Sequence, residues 1–162
     1  MDAIGRLDDR DDLEYHIVGS GPQESMIRAR IEEHGIEDTV SLLGHVSDER
    51  LIRELDQAEL FVLPSVVAAD GDRDGIPVAL MEAMAMETIP VSTMVSGIPE
   101  LIVHRENGLL VEPGDSEELA EVIRRYLKGS YEIDQTAPRQ RILEEFAVRD
   151  CTTDLLNVFD RC

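Results

Sequence analysis

The residues whose types and spacing can do chemistry are concentrated between Asp74 and Glu82, in the segment DGIPVALME. Gly75 and Pro77 lie where a loop is predicted to become a helix, because proline suits the first turn of a helix. The free N–H groups at a helix start, together with the positive end of its dipole, bind phosphate well. The donors expected there are the N–H groups of Ile76, Val78 and Ala79, since proline has none.

Glu82 is the one carboxylate in a predicted helix whose other residues are apolar, so the sequence offers it no polar face. A buried carboxylate is unfavourable unless it is paired or faces a ligand. Carboxylate oxygens can accept two hydrogen bonds from the vicinal hydroxyls of a sugar. We therefore predict that Glu82 holds a ribose and that Asp74, eight residues earlier, holds a second sugar across the phosphates. The alternative is that Glu82 points to solvent and Asp74 is an ordinary turn residue.

The elements that must position these residues alternate along the chain. Short apolar segments at 13–18, 40–43, 60–63, 89–92 and 109–111 are predicted strands. Helices are predicted from Pro22 to about His34, after Ser47, from Pro77, at 99–103, from Asp115 or Ser116 to about Leu127, and at 139–146 and 149–159. This alternation predicts an α/β fold with a doubly wound parallel sheet. We assign residues 1–162 to a single domain, in which 1–10 is the tail of a helix and 139–162 are C-terminal helices.

The charge balance of the 162 residues narrows the classes of partner. Asp and Glu number 35 against 15 Lys and Arg, for a formal net charge of −20, which disfavours binding to nucleic acid. Only Lys128 is a lysine, so we predict a halophile-like protein; an acidic protein from a GC-rich genome is the alternative. No apolar segment is long enough to span a membrane, and no signal peptide is visible. Two cysteines, Cys151 and Cys162, fit free thiols in a reducing cytoplasm.

The segment DGIPVALMEAMAMETIPVSTMVSGIPELI, with IVGSGP before it and ENGLLVEPGD after it, strongly resembles the C-terminal half of family 4 retaining glycosyltransferases. These are two-domain GT-B enzymes that use nucleotide sugars, and the resemblance covers about residues 13–127. The family's marker is two glutamates eight residues apart. Here the second is Glu82, and Asp74 replaces the first. The resemblance implies a Rossmann-like domain that binds the donor.

The resemblance also implies residue roles. Glu82 is expected to bind the ribose of the donor and Asp74 to contact the donor sugar, so these two are the candidate catalytic residues. Because aspartate is one methylene shorter than glutamate, the sugar contact is expected to be shifted or weaker. Donor-binding positions are further implied at Gly75, Ile76, Pro77 and Val78 around the sugar and diphosphate, Gly19 and Gly21 in a turn near the cleft, His45 and Val46 beside the base, and Gly97 beside the phosphates.

The chain also departs from the family pattern. The family's phosphate-binding arginine and lysine belong to its first strand and the loop after it. Gly5-Arg6-Leu7 imitates part of that segment, but the five residues 8–12 are too few for a crossover helix before the next strand, so we interpret the match as chance. We expect the first strand and the acceptor-binding domain to be absent. The family's sheet order would then leave two unpaired strand edges, so we predict poor stability alone or a partner that supplies the strand.

Several alternatives stay open. The chain can be an inactive truncated fragment or one half of a split protein, with the acceptor domain on a separate chain. A GT-B nucleotide-sugar epimerase and a dinucleotide dehydrogenase fit less well. Asp70, Asp72 and Asp74 resemble half of a calcium loop, but its twelfth position is Met81 and not an acid. We expect no metal and no cofactor, a nucleotide sugar as substrate, and a cytoplasmic location, with peripheral membrane association only through the N-terminal domain.

Overall fold

A computed structural model describes residues 1–7, 13–67, 71 and 75–147. Their elements alternate in the predicted order of strand and helix. The strands are β1 (Tyr15–Val18), β2 (Val40–Gly44), β3 (Leu60–Leu63), β4 (Ile89–Thr93) and β5 (Leu109–Val111). The helices are α1 (Glu24–His34), α2 (Asp48–Gln57), α3 (Val78–Ala85), α4 (Ile98–Leu101), α5 (Ser116–Leu127) and α6 (Ala137–Arg141), with a 3₁₀ turn at Ile4–Arg6 and a π-helix at Ile142–Phe146.

The chain divides into two compact units. Unit 1 comprises Met1–Glu54 and Asp115–Ser130, and unit 2 comprises Leu55–Gly114 and Tyr131–Cys162, so the division falls within α2. All strand pairs are parallel: β1 pairs with β2 in unit 1, and β3, β4 and β5 form one sheet in that order in unit 2. The expected α/β fold with Rossmann-like parallel pairing is therefore confirmed. The assignment of residues 1–162 to one domain stays a prediction.

Unit 1 builds a small sheet from β1 and β2, joined by α1. Gly35 ends α1 in the left-handed conformation, as its position after the last helical residue predicts. Asp115 caps α5, since its carboxylate accepts hydrogen bonds from the N–H groups of Glu117 and Glu118. The 3₁₀ turn is held to α5 where Arg124 Nη2 donates to the carbonyl oxygen of Arg6 at 2.6 Å.

Unit 2 contains the larger core. Strand β4 is buried at every position, between β3 and β5. The side chains of α3 and α4 that pack beside it include Leu80, Met84, Ile98 and Leu101, each almost completely buried. Because α3 starts after Pro77 and buries one face in this core, the core fixes the helix that carries Glu82.

Most predicted boundaries agree with the structure to within two residues. Pro22 lies in a turn and α1 begins at Glu24, because the N–H of Glu24 bonds the carbonyl of Gly21. The predicted helix at 139–146 is the short α6 followed by the π-helix, and a 3₁₀ turn lies where the tail of a helix was expected. The helix predicted at 149–159 lies outside the described residues. Within the described residues β1 pairs with β2 alone and β3 with β4 alone, and the absence of a first strand stays a prediction.

Glu54, the last residue of the first segment of unit 1, forms a polar cluster with strand β1. Its carboxylate lies 2.7 Å from Nδ1 of His16 and accepts a hydrogen bond from Nε of Arg50 at 3.2 Å. The hydrogen bond with His16, followed by the one from Arg50, lowers the pKa of Glu54 below its ordinary value of 4.5. A lowered pKa means that the ionised form stabilises the folded chain.

The first prediction concerns the acid stability of this cluster. Since the folded-state pKa of Glu54 is depressed, its contribution is complete above about pH 4.5 and is lost as the pH falls through the folded-state value. The variant Glu54→Gln is expected to lose stability less steeply than the parent chain between about pH 5 and pH 3 in urea unfolding. Glu49→Gln, in the same helix, is the control and is expected to follow the parent; identical slopes for all three chains would contradict the prediction.

The second prediction tests a close backbone approach in unit 2. A Cβ atom added at Gly108 would lie 2.6 Å from Cγ and 2.8 Å from the carbonyl oxygen of Pro90 in β4. Gly108→Ala is therefore expected to lower the free energy of unfolding by about 1–3 kcal/mol. A Cβ at Gly75, in the same unit, would meet no atom within 4 Å. Gly75→Ala is the matched control, and equal denaturation midpoints for the two variants would show that β4 yields to the added methyl.

Candidate functional site

Two buried hydroxyls fix the chain where it leaves β3. Ser92 Oγ donates to the carbonyl of Leu63 at 2.6 Å, and Thr93 Oγ1 donates to the carbonyl of Ser65. Both hydroxyl-bearing residues lie near the end of the buried strand β4. These bonds tie residues 63–65, at the end of β3 and just after it, to the last two residues of β4. Sequence analysis missed this pair, although two hydroxyl residues ending an apolar strand were a signal for it.

Gly75 and Ile76 lie against Gly97 in unit 2. The N–H of Gly97 donates to the carbonyl of Gly75 at 3.3 Å. A Cβ at Gly97 would lie only 2.8 Å from Cγ1 of Ile76, so glycine is needed for the two segments to approach this closely. The structure therefore brings together three of the predicted donor-binding residues.

The start of α3 presents free backbone donors beside Glu82. Pro77 precedes the helix and provides no side-chain cap, so among the described residues the N–H groups of Val78 and Ala79 have no capping partner. Val78 is 62% exposed, and Glu82, one helical turn later on the same side, is also exposed. Buried Leu80, Ala83 and Met84 form the opposite face. Glu82 is therefore exposed to solvent, as the alternative expected, because the apolar residues around it in sequence lie partly on the exposed face; its contact with a ribose stays a prediction.

The acidic segment before Gly75 lies mostly outside the described residues. Asp74, the predicted sugar contact, lies outside the described residues, as do Asp70 and Asp72 of the alternative calcium loop. In residues 1–7, 13–67, 71 and 75–147 there is no group of three His, Cys, Asp or Glu side chains arranged to hold a metal ion. Residues 75–97 contain no Lys or Arg, so the donors that this segment itself can offer an anion are backbone N–H groups and hydroxyls.

Gly19 and Gly21 line a cleft in unit 1. Gly19 has a φ of 114°, a conformation suited to glycine, and its N–H donates to the carbonyl of Gly44 at 2.8 Å. The cleft has a volume of about 480 Å³ and is walled by the ends of β1 and β2 and the first turn of α1. His45 is exposed and Val46 is half-buried, directly after Gly44, and neither lines this cleft. The structure therefore groups the two glycines with Gly44 but does not group His45 and Val46 with them.

None of the helices in the described part of the chain is both long and apolar enough to cross a membrane.

The sequence profile described as "Glycosyl transferases group 1" matches residues 1–144. The amylovoran biosynthesis glycosyltransferase AmsK of Erwinia amylovora is 41% identical over 92% of this chain and 37% of its own length. The MMP alpha-(1->4)-mannosyltransferase of Mycolicibacterium hassiacum is 29% identical over 99% of this chain and 38% of its own length. The chain thus spans little more than a third of these relatives.

Solved structures agree on the fold. The crystal structure of Anabaena HepE in complex with UDP-glucose superposes with a TM-score of 0.81 at 21% identity, over 99% of this chain and 44% of that one. The matched parts of the relatives correspond to a C-terminal half of the GT-B type, as the sequence predicted. With a family profile that covers residues 1–144 and a relative at 41% identity, the chain belongs to the group 1 glycosyl transferases.

Proposed function

We propose that this chain is the donor-binding part of a retaining glycosyltransferase, which transfers a sugar from a nucleotide sugar to an acceptor hydroxyl. The observation that carries the proposal is the exposed carboxylate of Glu82, one helical turn from the uncapped start of α3. Within the described residues its carboxylate has no hydrogen bond or ion pair, so it is available to the two vicinal hydroxyls of a ribose. Family membership supports the same role.

The diphosphate of the donor would be bound mainly by the backbone. The N–H groups of Val78 and Ala79 begin a helix of eight residues whose dipole favours an anion at that end. Gly97 lies against Gly75 and Ile76, so it supports the backbone that leads into the start of α3. Catalysis by such a site rests on stabilising the charge that develops on the leaving phosphate. Asp74 is proposed to contact the donor sugar, and we propose His45 and Val46 for the base.

The ligand of one solved structure with this fold suggests which donors to try first. HepE is described in complex with UDP-glucose, so UDP and UDP-glucose are the first ligands to try. The proposal includes a cytoplasmic location and adaptation to high salt; the 35 acidic residues against 15 basic ones support the salt adaptation.

A second candidate function is a half-enzyme that is inactive by itself. One edge of β1 and one edge of β3 carry no strand within the described residues, and the chain spans 37% of the length of AmsK. Unpaired parallel edges favour the addition of a strand from elsewhere. We propose that an acceptor-binding domain, on a separate chain or in a longer form of this one, supplies that strand and the phosphate-binding cations. Activity that appears only on mixing with such a domain would support this candidate.

The third prediction tests Glu82 directly. Because its carboxylate is exposed and unpaired within the described residues, Glu82→Ala is expected to leave the unfolding free energy within about 0.5 kcal/mol of the parent. Loss of two charge-assisted hydrogen bonds to a ribose is expected to weaken UDP binding about tenfold or more in calorimetric titration at molar salt.

Glu106→Ala is the control for this experiment, since Glu106 is an exposed glutamate of the same unit placed outside the proposed site. It is expected to bind UDP as the parent chain does. Equal affinities of the Glu82→Ala and parent chains for UDP would remove the proposed ribose contact.

The fourth prediction concerns the close approach of Gly97. The added methyl of Gly97→Ala would displace the Ile76 side chain, whose Cγ1 lies 2.8 Å from the new Cβ. We expect UDP affinity to fall about tenfold, because the displacement moves the backbone that faces the diphosphate. Glu106→Ala, at an exposed position of the same unit outside the proposed site, is again the control and is expected to leave the affinity unchanged. An unchanged affinity in Gly97→Ala would place the ligand elsewhere.

A further inference from the structure

Helix α4 is a single turn that depends on other elements for its position. It comprises only Ile98–Leu101, and isolated helices of this length are unstable in water. Its N-terminal flank, Gly97, donates to the carbonyl of Gly75 and lies against Ile76. Whatever fixes α4 therefore also fixes this contact in the proposed donor site.

The C-terminal end of α4 is held by two side chains from later in the sequence. Arg141 Nη2 donates to the carbonyl of Glu100 at 2.8 Å. Nδ2 of buried Asn107 donates to the carbonyl of Leu101 at 3.1 Å, and its Oδ1 accepts from the N–H of Val103 at 2.7 Å. The last carbonyls of a helix lack partners within the helix, so these donors satisfy groups that would otherwise need water.

Arg141 is itself held firmly at the junction of α6 and the π-helix. Its Nη1 bonds the carboxylate of Glu145, and its guanidinium lies 5.6 Å from the ring centroid of Phe146. Ile142 and Phe146 pack against the same core cluster as Ile98 and Leu101. The contacts with Glu145 and Phe146 thus orient the guanidinium, and its Nη2 donates to the Glu100 carbonyl.

The Nε–H group of Arg141 is buried and has no hydrogen-bond partner among the described residues. A buried donor without an acceptor is unfavourable and is rare in folded proteins. Salt-bridge strength alone does not account for an arginine that tolerates this cost, because the pair with Glu145 would also form at an exposed position. The bond from Nη2 to the Glu100 carbonyl is the contact that connects the guanidinium to α4.

We propose that Arg141 is a positioning residue for the donor site: it holds α4, and through α4 the Gly97 backbone, against Gly75 and Ile76. The functional part of this inference rests on the proposed function. Its structural part, the dependence of the Gly97–Gly75 hydrogen bond on Arg141, is independent of any ligand.

The test compares two arginines of the same helix. Arg141→Met removes the bond to the Glu100 carbonyl. Arg139→Met is the matched control, since Arg139 pairs at 3.6 Å with Glu87 and is 53% exposed. In hydrogen–deuterium exchange of the parent and variant chains, Arg141→Met is expected to speed exchange of the Gly97 amide about tenfold, and Arg139→Met is expected to leave it unchanged. Equal exchange rates at Gly97 in the two variants would overturn the proposal.

A conservative variant separates positioning from general stability. Arg141→Lys keeps a cationic donor for the Glu100 carbonyl, so it is expected to restore most of the protection at Gly97. If Arg141→Met does not fold, the test compares Arg141→Lys with Arg139→Lys. A small increase in exchange, confined to residues 97–101, is then expected in Arg141→Lys and not in Arg139→Lys. An increase spread evenly over unit 2 would show a merely structural role and overturn the proposal.

The ligand experiment separates this inference from the proposed function. In titrations with UDP, Arg141→Met is expected to bind about tenfold more weakly than Arg139→Met. If the parent chain binds UDP and both variants bind equally, positioning by Arg141 is wrong and the proposed function stands. If the parent chain fails to bind nucleotides while the Gly97 amide responds to Arg141 alone, the structural dependence stands and the proposed function is wrong.

Discussion

Unit 2 depends on the hydrogen bonds that the side chains of β4 make to the backbone leaving β3. β4 is buried along its whole length, and its last two residues carry hydroxyls that bond the carbonyls of Leu63 and Ser65. The two hydroxyls are themselves buried, and the carbonyls of Leu63 and Ser65 satisfy them as acceptors. They tie the exit of one strand to its neighbour, so the loop that leads to α3 departs from a fixed point.

From that point the geometry of the candidate site is built from backbone atoms. Gly75 and Gly97 have no side chain, and the start of α3 offers backbone N–H groups to a ligand. Binding by backbone donors suits a chain with a formal charge of −20, because the average electrostatic field of such a surface does not attract an anionic ligand. Local N–H dipoles act over a few ångströms and are little affected by distant charge.

Much of this arrangement could be predicted from the sequence, because local signals decide where elements start and stop. Gly35 and Asp115 mark helix ends by their own backbone and side-chain chemistry, and the structure has both as predicted. The exposure of Glu82 could not be predicted in the same way. Its helix is apolar around most of its circumference, so no periodic pattern distinguishes the buried side from the open one. The contact of Arg141 with Glu100 was also beyond local reasoning, since 41 residues separate the two and a π-helix follows.

Each unit is assembled from two separate segments of the chain, and this limits how the protein can be divided into fragments that fold. The chain passes from one unit to the other between 54 and 55, between 114 and 115, and between 130 and 131. Neither unit is therefore a continuous stretch of sequence: α5, which anchors the 3₁₀ turn, is encoded after the whole of the β3–β5 sheet. A gene shortened at any of these three boundaries would yield at least one unit without one of its own segments. During synthesis, unit 1 also has to wait for residues 115–130 to emerge before it can close.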